Sequence, residues 1–265
     1  MSFSVALLQP DLHWQDPAAN RGQFDAQLGA LARGKVDLVV LPEMFTTGFS
    51  MDSAVLAEPA AGPTARWLQD WARRLDAAVT GSVMTRDGDR RVNRLWFATP
   101  DGVLRHYDKR HLFRMAGEHQ HYSPGEASLV VEFRGWRIAP LVCYDLRFPV
   151  WSRRRPGFDY DLLVYVANWP ARRGYAWRQL LIARAIENQS YAVGVNRVGA
   201  DGNGIGHDGD SAAHDYLGMP LATLGNAVAV STVSLDLAAL CEFRERFPAH
   251  LDADRFELDD GATSR

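Results

Sequence analysis

The chain has 265 residues, 47% hydrophobic and 23% charged, with a formal net charge of −3. That mix fits a globular protein with one closed core, and the slight acidity leaves no electrostatic footprint for nucleic acid or an anionic membrane. Its two cysteines, Cys143 and Cys241, fit a reducing compartment better than a disulfide framework, and no apolar run reaches the roughly 18–20 residues of a bilayer span.

The opening MSFSVALLQPD has neither the basic start nor the cleavage site of a signal peptide, so the expected setting is the cytoplasm. Phe3–Gln9 reads as a buried strand. In Ala18–Arg33, Phe24, Leu28 and Leu31 share one helical face. Val36–Leu41 is β-branched and apolar, an inner strand that Pro42 stops. Pro63–Leu75 clusters Trp67, Leu68 and Trp71 and reads as a helix, followed by a strand over Ala77–Val83.

Two hairpins come next. Val92–Ala98 and Val103–Tyr107 flank Thr99-Pro-Asp-Gly102, and Leu129–Phe133 and Trp136–Val142 flank Arg134-Gly135. Asp161–Ala167 is a buried strand, Gly174–Gln189 a helix and Tyr191–Asn196 a strand. Gly199–Gly209 is a glycine-rich loop or turn cluster without the spacing of a phosphate cradle. Ser211–Tyr216, Pro220–Leu224 and Val228–Leu235 read as a closing meander. A C-terminal helix over Leu237–Phe247 and a polar tail follow. No repeat or linker divides the chain, so one domain over 1–265 is expected. Amphipathic helices beside strands and hairpins predict a layered α/β fold with mixed sheets.

Three segments place a reactive residue just after a strand, where sites form in α/β folds. LVVLPEMF carries Glu43, YDKRHLFR carries Lys109 and LVCYDLRF carries Cys143. Alone, each has an ordinary alternative: a solvated Glu, a surface Lys, a packed Cys. Together they supply a nucleophile, a base for its proton and a cation for an oxyanion, with no metal or cofactor.

LPEMF, YDKRHLF and CYDLRFP resemble the Glu, Lys and Cys segments of the nitrilase (carbon–nitrogen hydrolase) superfamily, in the same order and with approximately the same spacing. The resemblance spans nearly the whole chain. It implies a four-layer α-β-β-α sandwich, with Glu43 as general base, Lys109 as transition-state stabiliser and Cys143 as nucleophile. It also implies a second glutamate, Glu118 in MAGEHQHYSPG, that orients Lys109 or the leaving group. With ANWP (Ala167–Pro170) and NRVG (Asn196–Gly199), the chain is similar to the omega-amidase branch. That branch hydrolyses the terminal amide of 2-oxoglutaramate and 2-oxosuccinamate. Association into homodimers or larger homo-oligomers is a further implication.

In this reading the partner is a small amide, and the Tyr144 backbone N–H joins Lys109 at the oxyanion. A substrate carboxylate calls for an arginine fork. Arg147 is the first candidate, with Arg172, Arg173 and Arg114 behind it, and its alternative is an ion pair with Asp145. Phe45, Tyr144 and Trp169 are candidate pocket walls. Cys241 reads as helix packing. One rival is a metallohydrolase using His119 and His121 with His111 and Glu118. Another is a Cys–His hydrolase, for which no downstream histidine is marked out.

Overall fold

A computed structural model describes residues 2–258; Met1 and residues 259–265 of the expected domain and tail lie outside the described residues. Two mixed sheets dominate. The first runs in the order Ala229–Asp236, Ser2–Gln9, Leu38–Val40, Ala78–Asp87, Arg90–Ala98, Leu104–Asp108, with Glu58–Pro59 added on Ala78–Asp87. The second runs Pro220–Thr223, Ala212–His214, Tyr191–Val195, Leu162–Val166, Trp136–Val142, Val131–Phe133.

Strand alternation divides the first sheet between two cores. Phe3, Val5 and Leu7 join Leu38, Val40 and Leu95 in one cluster with Ile138, Leu163 and Val193 of the second sheet. Ala6, Leu8 and Val39 turn the other way, onto Phe24 and Leu28 of the helix Pro17–Gly29 and Leu68 and Trp71 of the helix Pro63–Leu75. On the far side, Trp177 and Leu181 of the helix Gly174–Asn188 cover the second sheet. Gly194 permits that approach: a Cβ there would lie 2.6 Å from Leu181 Cδ1 and 2.8 Å from the Trp177 ring. The result is the expected four-layer α-β-β-α sandwich.

Local chemistry sets the helix ends. Pro17 stands at the first turn of its helix, and Asp16 accepts from Ala19 N at 2.9 Å. That helix ends at Gly29 rather than Arg33, where Ala30 N and Leu31 N turn back to Gln27 O and Leu28 O. Asp236 caps the helix Leu237–Arg246 through Ala238 N and Ala239 N. No helix among the described residues is long and apolar enough to cross a membrane.

Three further expectations need correction. The strand expected over Ala77–Val83 continues to Asp87 and turns back at Gly88, whose φ is 59°. The closing strands do not form one meander. Ala212–His214 and Pro220–Thr223 extend the second sheet, whereas Ala229–Asp236 pairs antiparallel with Ser2–Gln9 in the first. The third correction is the glycine-rich loop. Val198–Ala200 and Gly206–Asp208 pair as a hairpin, and Asp201 Oδ1 holds its tip by accepting from Asn203 N and Ile205 N at 2.8 and 2.9 Å.

Candidate active site

Glu43 leaves the first sheet just after Pro42. Phe45 N donates to Ser82 O and Met44 N to Ser82 Oγ, so this turn is fixed on the neighbouring strand. Glu43 is fully buried, and its carboxylate has three donors: Lys109 Nζ at 2.8 Å, Asn93 Nδ2 at 2.8 Å and Asn168 N at 2.8 Å. The Asn168 side chain also donates to the Glu43 carbonyl. Asn168 follows a second-sheet strand, so these bonds cross between the sheets.

Lys109 follows the strand Leu104–Asp108, where Lys109 N donates to Asn93 O at 3.0 Å. Its ammonium is buried between two acids, 2.8 Å from Glu43 and 2.9 Å from Glu118. Phe113 N donates to the same Glu118 oxygen, Oε2, at 2.6 Å, aiming that carboxylate inward. Burial alone would lower the Lys109 pKa, but the charges of Glu118 and Glu43 outweigh it and hold the ammonium protonated. Burial drives the Glu118 pKa up against the pull of Lys109, with Glu43 adding repulsion.

Cys143 ends the second-sheet strand Trp136–Val142 and opens the 3-10 turn Cys143–Arg147. Its φ of 45° is left-handed, a conformation that costs a branched or bulky residue most and that a surrounding frame must hold. Burial is the main reason its thiol pKa lies well above the ordinary value; the Glu43 charge adds to that and Lys109 opposes it. The resting nucleophile is therefore a neutral thiol, which needs a base to take its proton.

Cys143 and Lys109 open on a cavity of about 150 Å³, walled by Phe49, Phe113, Tyr144 and Trp169. Arg147 lines it with its guanidinium 4.8 Å from the Trp169 ring centre and pairs with no acid among the described residues. The alternative partner, Asp145, is already occupied by donors from Tyr107, His111 and Val142. Arg172 and Arg173 also line the cavity; Arg114 is exposed and does not. The sequence is wrong about Phe45. Its side chain points into the helix-facing core, 5.4 Å from the Phe24 ring, and Phe49 stands in the cavity wall instead. The intervening turn, with Gly48 at φ 71°, reverses the direction of the chain.

Asn93 and Asn168 were not anticipated, although both bind Glu43. Asp201, Ile205 and His207 of the glycine-rich hairpin also reach the cavity. His119 and His121 are exposed whereas Glu118 is buried against Lys109, so the metal set does not converge. Cys241 is exposed on its helix rather than packed.

A buried thiol, carboxylate and ammonium gathered at strand ends of a four-layer sandwich make the arrangement of a thiol hydrolase. The chain belongs to the carbon-nitrogen hydrolase family, whose model matches residues 4–245. It is 51% identical over 259 residues to omega-amidase YafV of Yersinia enterocolitica, covering 97% of this chain and 99% of that protein. The 2-oxoglutaramate amidase of Bacillus subtilis (strain 168) is 32% identical over 259 residues, covering 95% and 98%. Among solved structures, XC1258 from Xanthomonas campestris, a CN-hydrolase superfamily protein with an arsenic adduct in its active site, superposes with a TM-score of 0.95. It is 51% identical, over 98% of this chain and 100% of that one.

Proposed function

We propose that this chain is a thiol-dependent amidase that hydrolyses the terminal carboxamide of 2-oxoglutaramate and 2-oxosuccinamate to a 2-oxo diacid and ammonia. The observation that carries the chemistry is the Lys109 ammonium held 2.8 Å from Glu43, with the Cys143 thiol on the same cavity. The substrate class rests on the Arg147 fork, which pairs with no acid among the described residues, and on the similarity to proteins named omega-amidase and 2-oxoglutaramate amidase.

Glu43 takes the Cys143 proton and sulfur attacks the amide carbon. Lys109 and the Tyr144 N–H stabilise the oxyanion, while Glu118 holds Lys109. Collapse expels ammonia, which leaves with the proton from Glu43. Water then attacks the thioester, giving one proton to Glu43. The 2-oxo acid departs, and that proton returns to sulfur. Arg147 holds the distal carboxylate over the Trp169 ring.

In this reading residues 1–265 form one hydrolase domain acting in the cytoplasm. A homodimer or larger assembly is part of the proposal. An exposed apolar face supports it: Leu217 and Met219 flank Gly218, and Ile186 packs beside it.

The test is ammonia release from the two 2-oxo monoamides, glutamine, asparagine, an aliphatic amide and a nitrile. The 2-oxo monoamides should be turned over best. Arg147→Met should lower kcat/KM for them by roughly 100-fold, the loss of a charge-assisted fork, and leave the aliphatic amide within about threefold. Preference for another amide would discard the substrate assignment, and an equal loss on both classes would discard the clamp.

A further inference from the structure

The reacting groups come from different sheets. Glu43, Lys109, Glu118 and Asn93 belong to the first sheet and its loops, Cys143 and Asn168 to the second. The sheets meet over an apolar, non-directional core, and the Asn168 bonds that cross between them grip Glu43, so neither ties the Lys109 segment itself to the Cys143 turn within the half-ångström that catalysis needs.

One buried acid spans that gap. Asp145 is fully buried two residues after Cys143. Its Oδ2 accepts from Tyr107 OH at 2.7 Å and from Val142 N at 3.1 Å. Its Oδ1 accepts from His111 N at 3.0 Å and from His111 Nδ1 at 2.8 Å. Tyr107 and His111 stand two residues before and two residues after Lys109; Val142 directly precedes Cys143. The bracket is itself packed: Trp151 Nε1 donates to Tyr107 OH at 2.9 Å, and the His111 ring stacks on Phe148 at 3.7 Å.

We propose that Asp145, with Tyr107 and His111, is the positioning brace that sets the Lys109 ammonium against the Cys143 turn across the interface between the sheets. None of the three lines the cavity, so they act through Lys109 and Cys143. Four donors converge on one carboxylate whose lone pairs they fill, so the network has a single arrangement and specifies one register. A purely apolar interface of the same shape would tolerate sliding.

The proposal rests on the amidase reading but is indifferent to the far end of the substrate. The test uses the full chain in a Cys241→Ser background, because Cys241 is exposed and would also be alkylated. Tyr107→Phe and His111→Phe keep ring volume and stacking; Asp145→Asn is the third variant. Alkylation of Cys143 that bound substrate protects against counts competent sites, so a misfolded fraction, alkylated with or without substrate, is left out of the rate per site. Tyr107→Phe and His111→Phe should each lower kcat per site roughly tenfold or more with KM within about twofold, as misplaced reacting groups do. Combined with Asp145→Asn, they should cost nothing further, because all three act as a unit.

Single-variant kcat per site within twofold of the parent overturns the brace. So do additive losses in the combinations. If Asp145→Asn fails to fold, the pair Tyr107→Phe/His111→Phe carries the same additivity test. Poor turnover of 2-oxoglutaramate beside fast turnover of another amide by the parent would sink the substrate assignment alone, and this comparison would then be run on that amide.

Discussion

Cys143→Ala is expected to abolish ammonia release, with kcat falling by about 10⁴- to 10⁶-fold, while the protein stays folded. Cys143 is 8% exposed and lines the cavity, so losing one sulfur removes little packing. Alanine meets the same left-handed backbone at φ 45° that cysteine does, so the turn is no more strained. What disappears is the atom that carries the acyl group. Lys109, Glu43 and the Tyr144 N–H remain, but they have no intermediate to stabilise. Steady-state ammonia release at high enzyme concentration measures the loss, and a thermal melt checks the fold. Residual turnover within 100-fold of the parent would remove Cys143 from the mechanism.

Lys109→Met should cost both activity and stability. Glu43 and Glu118 share this one cation in a fully buried site. Without it, two like charges face each other in a low dielectric, and one carboxyl must bind a proton to relieve them. Breaking such a pair costs about 3–5 kcal/mol. Glu118→Gln in the same chain removes one of the charges and should recover at least half of the lost stability, but none of the activity. Chemical denaturation of the two variants and the parent decides it; a double variant no more stable than Lys109→Met would contradict the charge account. Lys109 also sets an alkaline limit. Its folded pKa lies above the unfolded value, so its stabilisation is complete below the unfolded value of about 10.4 and is lost as pH rises from there toward the folded one.

The site was legible where one residue carries one signal. Glu43 and Cys143 each follow an apolar strand and Lys109 a polar edge strand, and a chemical group just after a strand end stands out against its context. Sequence could not show that they meet, because Glu43 and Lys109 come from one sheet and Cys143 from the other. The same limit hid the end of the chain: three closing strands look alike, yet Ala229–Asp236 crosses to pair with Ser2–Gln9. That Asn93 and Asn168, the second quoted only as part of ANWP, bind Glu43 went unseen, because an inward asparagine in or just after a strand reads as an ordinary polar position until its carboxylate partner is known. Phe45 and Phe49 sit on one short turn with left-handed backbone at Met44 and Gly48, which leaves Phe45 in the helix-facing core and Phe49 in the cavity wall. The glycines of Gly199–Gly209 signalled turns correctly, but the order imposed by Asp201 on Asn203 N and Ile205 N depends on a fold around them. Arg147 was named for its closeness in sequence to Cys143. Its freedom from Asp145 became visible only once Tyr107 and His111, distant in sequence, were seen to take that acid.

In this mechanism the acyl group of the amide passes through Cys143 as a covalent thioester. The most direct measurement is peptide mass analysis of protein quenched in acid during turnover of 2-oxoglutaramate. The account predicts a 2-oxoglutaryl group on the peptide containing Cys143, present while substrate lasts, lost after its exhaustion and absent from Cys143→Ala. Full-rate turnover with no acyl group on that peptide at any quench time, or with the group on another residue, would contradict it.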